Sequence, residues 1–592
     1  MLAGLLAFMT RSGQAQQRPA AAEQNVLRFR FMGPSIGNRI ASVAGVPGDP
    51  TTYYAGAASG GVWKSTDSGA TFAPIFDGQR VMAIGALAVA SSDPKIVWAG
   101  TGEAWAIRDV DVMGDGVYKS TDAGATWTHL GLDQTGRIGR IVIHPTDPNI
   151  VYVCAAGRLT GPQQERGVFK TTDAGQHWDR VLFADPNTGC SGLAMDPKDS
   201  SVLFAGLWQV EMHTWAELSG GPGSAIFTTR DAGKTWKKVE HAGLPKPPLG
   251  KIDVAIAPTD SSRVYALIQT ADQGSLWRSD DGGASWKVVS WDRALIGRAG
   301  YYIRLGVSTG DANELIVMNS SMHRSSDGGV TFTPGTGCGD CHDIWWDPKN
   351  PDRYALTHDA GMTITTDHLR TSSRVALPVG QMYHVAVDAQ IPYYIYSNMQ
   401  DDGTMRGPSD APENVPNNAT PMVGRGGRGG RGDAPPAEGR GRGDAPPGEG
   451  RGRGEGRGLS DPDAAAFGLG GFGGGGFGRG NVAQWEHNLG GCESGFTLPD
   501  LVDPNVVWAS CYGNKLTRFD ARTKTARSVA PWMISLDSPP ADAKYRCHWT
   551  APLAIDPFDH HTVFYGCQVI FATSDAGQSW KEIGRASCRE RV

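Results

Sequence analysis

Residues 116–127, GVYKSTDAGATW, form a phrase that the chain repeats. GVWKSTDSGATF ends at Phe72, GVFKTTDAGQHW at Trp178 and AIFTTRDAGKTW at Trp236. SLWRSDDGGASW ends at Trp286, HRSSDGGVTF at Phe332 and FATSDAGQSW at Trp580, and a weakened copy, ITTDHLRTS, surrounds Asp367. Self-similarity at a spacing of about 40 to 60 residues marks a repeat architecture.

The phrase has a physical reading. Its first half alternates in polarity, as in Val117 to Ser120, which suits a strand. Asp122, Ala123 and Gly124 then make a tight turn. The Asp side chain accepts from the backbone amides just ahead, and Gly supplies a positive φ at no steric cost. Thr126 and Trp127 open the return strand, and the aromatic ring can pack against the neighbouring unit. Upstream of the phrases lies a second pattern: two apolar runs around a polar turn, often Asp-Pro. IGRIVIHPTDPNIVYVCAAG from Ile138 and IDVAIAPTDSSRVYALIQ from Ile252 show it, as do LAMDPKDSSVLFAG from Leu193 and IWWDPKNPDRYALTHDAG from Ile344. These read as hairpins. Two hairpins per unit give four antiparallel strands, and radial repetition of such units predicts an all-β chain folded as a β-propeller.

Seven units run from about residue 29 to 378, and three more start near Gln381, Glu493 and His548. The expected arrangement is a seven-bladed propeller over 29–378 followed by an incomplete second propeller over 379–582. A single ten-bladed ring of the sortilin kind is the alternative. The weakened box at Asp367 reads as a closing blade whose missing outer strand residues 27–31 supply. Residues 408–480 carry Arg-Gly repeats and a Gly/Phe run, which cannot bury enough apolar surface to order themselves. Five acidic residues interrupt eight arginines within residues 424–458, and the whole chain of 592 residues has net charge -6. The segment is therefore read as an expanded surface loop within the eighth unit, with no nucleic-acid partner expected.

Residues 1–17, MLAGLLAFMTRSGQAQQ, read as a signal peptide, and no apolar run is long enough to span a bilayer. Residues 583–592, IGRASCRERV, abandon the repeat and look like the in-frame translation of a sequencing-adapter oligonucleotide, an artefact that leaves the last blade truncated. Without them eight cysteines remain, consistent with an oxidising, secreted or periplasmic location. Cys492 with Cys511 and Cys547 with Cys567 are candidate disulfides within hairpins, given Cα atoms about 4.4–6.8 Å apart. Cys338, Cys341 and His342 match the C-x-x-C-H haem-attachment pattern. Haem needs room beside a packed blade, a distal ligand and a redox context that the chain does not otherwise carry. No cofactor and no metal are expected.

The pattern Ser/Thr-x-Asp-x-Gly-x-Ser/Thr-Trp resembles the Asp-box, or BNR repeat, of sialidases, sortilin-type receptors and xyloglucan hydrolases. That resemblance implies a structural role for Asp67, Asp122, Asp173, Asp231, Asp281, Asp327 and Asp575. Longer stretches are similar to large exported bacterial proteins named for a sortilin-like N-terminal region or as BNR-repeat glycosyl hydrolases. FMGPSIGNRIASVAG, GDCHDIWWDPKNPDR, QMYHVAVDAQIPYYIYSNMQDDGTMRGPS and YRCHWTAPLAIDP carry the similarity. It implies two propellers and a further C-terminal region. Xyloglucan hydrolases place a catalytic Asp just before a Gly-Gly in the first blade, and the matching residues 57–61, AASGG, have Ala58 there. Neither the arginine triad of sialidases nor a peptidase triad is recognisable.

Propeller ligands usually meet the face built from loops entering strand one and leaving strand two of each blade. Those loops contain Arg39, Arg158, Asp340, His342, His358, Gln400, Arg546 and His548, a polar funnel fit for a sugar or a peptide. Glu103, Asp343, Asp359, Asp401 and Glu493 are its candidate catalytic carboxylates. A glycosidase needs two such groups about 5–9.5 Å apart. The expected role is a binding scaffold for a polypeptide or glycan, with a glycoside hydrolase acting through these carboxylates as the alternative.

Overall fold

A computed structural model describes residues 32–34, 39–104, 112–213, 216–240, 242–410, 485–532 and 544–585. The expected leader, the possible closing strand at 27–31, nearly all of the insert and residues 586–592 of the tail lie outside the described residues. The chain is an all-β propeller protein. Ten sheets follow one another, each a four-stranded antiparallel meander in chain order. They span residues 40–74, 84–129, 138–182, 188–238, 252–290, 304–339, 341–375, 382–487, 497–528 and 553–585. The fourth sheet gains an extra strand, Ala216–Ser219, on the overlong strand Leu203–His213. The one helical element among the described residues is the 3-10 turn Arg293–Ile296.

Each box folds as a closed knot at the turn between strands three and four. In the second sheet the Ser120 hydroxyl donates to Asp122 Oδ1 at 2.7 Å and accepts from the amide of Gly124 at 2.7 Å. Asp122 then accepts from the amide of Thr126 at 2.8 Å and from its hydroxyl at 2.6 Å. Ala123 and Gly124 both take positive φ, 60° and 92°. The weakened box keeps the same bonds: Thr365 donates to Asp367, and Thr371 donates from both its amide and its hydroxyl. Leu369 holds the glycine position there at φ 62°. Contrary to expectation, the seventh sheet has its own outer strand, Ser373–Val375, paired to Gly361–Thr365.

The boxes also join neighbouring sheets. Trp127 Nε1 donates to the carbonyl of Ile75, Trp178 to Leu130 and Trp580 to Val529, each in the preceding unit. Tyr54 and Lys64 of the first sheet both donate to the Ala123 carbonyl at the turn of the second box.

An apolar cluster fills each junction between successive sheets from the first to the seventh. Trp98 packs with Val151 and Phe169 between the second and third sheets, for example, and Phe204 with Val264 and Trp286 between the fourth and fifth. Fully burying one such side chain contributes roughly 1.5–3 kcal/mol. A seventh cluster joins Ile40, Val43 and Tyr53 of the first sheet to Ala355, Met362, Ile364 and Val375 of the seventh. Arg353 donates to the carbonyl of Val46 at 2.7 Å, and Ser42 donates to Asp343 at 3.0 Å, across the same junction. The first sheet thus packs on the seventh. First strands line the centre, where Arg304 of the sixth sheet reaches across to the Gly139 carbonyl of the third at 3.2 Å. Sheets eight to ten stack in succession through Tyr396 with Val507 and Phe519, then Trp508 with Leu553 and Tyr565.

Candidate functional site

Arg39 is the residue just before the first strand, Ile40–Val46, and it is buried. Its guanidinium collects three carboxylates from distant sheets. Nη1 donates to Glu103 at 2.5 Å, Nε to Asp359 at 2.9 Å and Nη2 to Asp401 at 3.3 Å. Glu103 follows the second strand of the second sheet, Asp359 that of the seventh, and Asp401 that of the eighth. All three lie on loops leaving strand two, the face that the sequence reading singled out.

The carboxylates are not alike. The Glu103 side chain is fully buried, that of Asp359 is 11% exposed and that of Asp401 is 23% exposed. Asp401 is therefore the one that solvent reaches most easily. Burial, Asp359 and Glu493 all push the Asp401 carboxyl well above the usual carboxylate range, against the pull of Arg39. Burial pushes Asp359 up too, but Arg39 and His342 outweigh it and hold Asp359 far below that range. One guanidinium charge is shared with two shorter contacts, so it offsets less of what raises the third carboxyl. Gln400 donates to Asp401 Oδ1 at 2.8 Å and accepts from the Tyr383 hydroxyl at 2.6 Å. Asp401 has a left-handed backbone, φ 67°.

His342 positions the cluster. Its Nδ1 meets the Ile40 carbonyl at 2.9 Å and its Nε2 lies 3.0 Å from Asp359 Oδ1. Cys338 and Cys341 are bonded to each other, S–S 2.04 Å, so neither sulfur is free for a thioether.

The structure brings together Arg39, Glu103, His342, Asp359, Gln400 and Asp401, with Glu493 near enough to act on Asp401. The other candidates make their closest contacts elsewhere. Asp343 faces the ring centre, where it accepts from Arg140 at 2.8 Å and from Ser42. His358 is a buried imidazole pushed down to about 3 by desolvation and by Arg374 and His342. Asp340 accepts from Arg298 at 2.8 Å and from the Tyr302 hydroxyl. Arg158 donates to Gln134 at 3.0 Å on the third sheet's rim. Arg546 and His548 belong to the loop entering the tenth sheet, where His548 meets Thr550 at 3.0 Å.

Sequence reasoning missed Tyr301, Tyr302 and Lys251. Arg39 lies over the Tyr301 ring at 5.3 Å, and the Tyr302 ring meets His342 edge-on at 5.3 Å. Buried Lys251 donates to the Tyr301 carbonyl at 2.7 Å, and desolvation pushes its ammonium down to about 7. The signal was the RAGYY insertion between the fifth and sixth sheets, too long for a plain strand connection. Ala58 packs beneath both tyrosines.

Four disulfides are present among the described residues. Cys492–Cys511 and Cys547–Cys567 pair as expected, but each ties a loop entering strand one to the end of strand two or just beyond it. Cys154–Cys190 joins the third sheet to the fourth. Such bonds persist in oxidising compartments. No helix among the described residues is long and apolar enough to cross a membrane.

No family model matches the chain. It is similar to a xyloglucanase of Hypocrea jecorina, 27% identical over 293 residues, covering 42% of this chain and 32% of that protein. It is also similar to a Neosartorya fischeri protein named "Probable oligoxyloglucan-reducing end-specific xyloglucanase", 25% identical over 404 residues, 59% of this chain and 47% of that one. The chain thus spans from a third to about half the length of these relatives. Among solved structures it resembles the GH74 enzyme of Niastella koreensis, with 13% identity, TM-score 0.37 and coverage of 94% of this chain and 86% of that one.

Proposed function

We propose that this chain is part of an exported glycoside hydrolase that cleaves a glycan at the Arg39 carboxylate cluster. One observation carries the reading: two carboxyls on one guanidinium have pKa values driven apart, Asp401 upward and Asp359 downward. A pair split in this way assigns acid and anion roles. Asp401, protonated and the more exposed, donates its proton to the departing glycosidic oxygen. Asp359, which Arg39 and His342 hold ionised, stabilises the cationic sugar or activates the attacking water. Arg39 and His342 hold Asp359 in place. The similarity to xyloglucanases supports a glycan as the substrate class.

A second reading, a binding scaffold for a glycan or polypeptide, is favoured by Ala58. It stands where the xyloglucan hydrolases carry a catalytic Asp, and it is buried under Tyr301 and Tyr302. The test is release of reducing ends from xyloglucan and other β-glucans. Asp401→Asn should lower kcat by about 10²–10⁴-fold, the usual contribution of a general acid, with glycan binding retained. Wild-type binding without any release would leave the scaffold reading standing.

A further inference from the structure

The turn from strand one to strand two lies at the end of each sheet opposite the carboxylate cluster. In the eighth sheet, Asp401 and the 388–393 turn stand at the two ends of the strand Tyr394–Met399. In sheets one to seven, whose turns are all described, no such turn leaves a Val, Ile, Leu or aromatic side chain exposed, and Lys95, Lys198 and Lys349 sit in three of them. Sheets eight to ten differ. Their turns, DAQIPY at 388–393, DLVDPN at 500–505 and DPFDHH at 556–561, present Ile391 at 99%, Val502 at 69% and Phe558 at 97% exposure. Side-chain contacts join the three turns. His560 meets Asp500 at 3.0 Å. Arg406 donates to the Pro504 carbonyl and to the Tyr396 hydroxyl, each at 3.4 Å, and that hydroxyl donates to Asp388 at 3.0 Å. Single exposed apolar side chains are ordinary, but a row confined to three adjoining turns marks an interaction surface.

We propose that this rim docks a polypeptide segment bearing both apolar and basic side chains. Ile391, Val502 and Phe558 supply the apolar contact. The three turns also hold five aspartates, Asp388, Asp500, Asp503, Asp556 and Asp559, and no Lys or Arg. Arg522, from the second hairpin of the ninth sheet, reaches Asp503 at 3.0 Å. The Thr562 hydroxyl, at 2.8 Å, and the His561 amide hold the Asp559 carboxyl below the usual carboxylate range. Charge decides between a polypeptide and a lipid surface. An anionic bilayer repels the aspartates, and a neutral one desolvates them with no cation in exchange. A basic, apolar segment meets both kinds of group at once. The rim is remote from Arg39, so its partner is independent of the chemistry at the carboxylate cluster.

The test is fluorescence anisotropy with the whole chain at about pH 8, where the histidines are neutral. The probes are a labelled peptide of alternating Leu and Lys and one of alternating Leu and Glu. Phosphatidylcholine vesicles, with and without phosphatidylglycerol, are tested by co-sedimentation. The wild type should bind the Leu-Lys peptide, more weakly as salt rises, and neither the Leu-Glu peptide nor the vesicles. A triple variant, Ile391→Ser with Val502→Ser and Phe558→Ser, should bind that peptide at least about tenfold more weakly. Its Tm should match the wild type, because all three side chains already face solvent. If Tm falls, Phe558→Ser alone decides, with binding weakened about threefold or more. Binding that the variants keep would be general attraction to a net-negative chain and would overturn the proposal. Equal affinity for the Leu-Glu peptide, or no peptide binding, would overturn it too. Vesicle binding that the triple variant loses would make the rim a membrane contact instead.

Discussion

Within each box the aspartate is the visible residue, but the buried anchor is the hydroxyl two positions earlier. Ser120 is 1% exposed and bonds to both Asp122 and Gly124. Ser120→Ala strands two groups and should cost about 1–2 kcal/mol in denaturant unfolding, with glycan binding unchanged. Equal stability would mean that the turn holds without its hydroxyl. Asp401 makes the opposite prediction. Its carboxyl is a weaker acid in the fold, which favours the protonated form in the native state above pH 3.8, where the unfolded chain loses the proton. Stability is therefore lost as pH rises from there toward the folded value. Asp401→Asn should remove that decline and gain on the wild type as pH goes from 5 to 8 in urea midpoints. A variant less stable than wild type at pH 8 would show that Asp401 is ionised and held by Arg39. Asp359, lowered in the fold, acts in reverse: its contribution is present above pH 3.8 and lost as pH falls below it.

Between elements, the sheets are held by apolar clusters and by side chains that reach the next turn. One junction also carries a covalent tie, Cys154–Cys190, over a separation of 36 residues. Replacing both cysteines by Ala should cost about 2–4 kcal/mol, chiefly through the unfolded chain. The measurement is the denaturant midpoint. The tenth sheet departs from the sequence reading at this scale. Its outer strand is not a stub at Glu582 but Lys581–Arg585, paired along Val569–Thr573. Pairing follows the edge that the third strand offers.

For the whole molecule, we propose two structural units, residues 29–378 and 379–582, the first closed and the second beginning at the eighth sheet. They touch at the candidate site, where Arg39 of the first meets Asp401 of the second. The eighth sheet also leaves Val385 and Val387 74% and 54% exposed, whereas the first strand of the first sheet is wholly buried. Limited proteolysis should cut first within 408–480, whose composition cannot build a core. The closed ring should then outlast sheets eight to ten. Fragments that show the ring failing first, by mass spectrometry, would refute this division.

The sequence by itself determined the repeat, the four-stranded unit and the box turn. The reason is locality: the bonds of a box fall within seven consecutive residues, Ser120 to Thr126, so the composition of one phrase specifies them. It also placed Arg39, Asp359 and Asp401 on one face, since strand alternation fixes which loops share an end. Only the tertiary structure decided that the first sheet meets the seventh, and which polar loop residues act together. The partners of Arg39 are 64, 320 and 362 residues away, and no local pattern encodes such a distance. Their unequal acidities arise from that meeting alone, because burial and the sharing of one guanidinium exist only once the ring has closed and the eighth sheet has docked upon it.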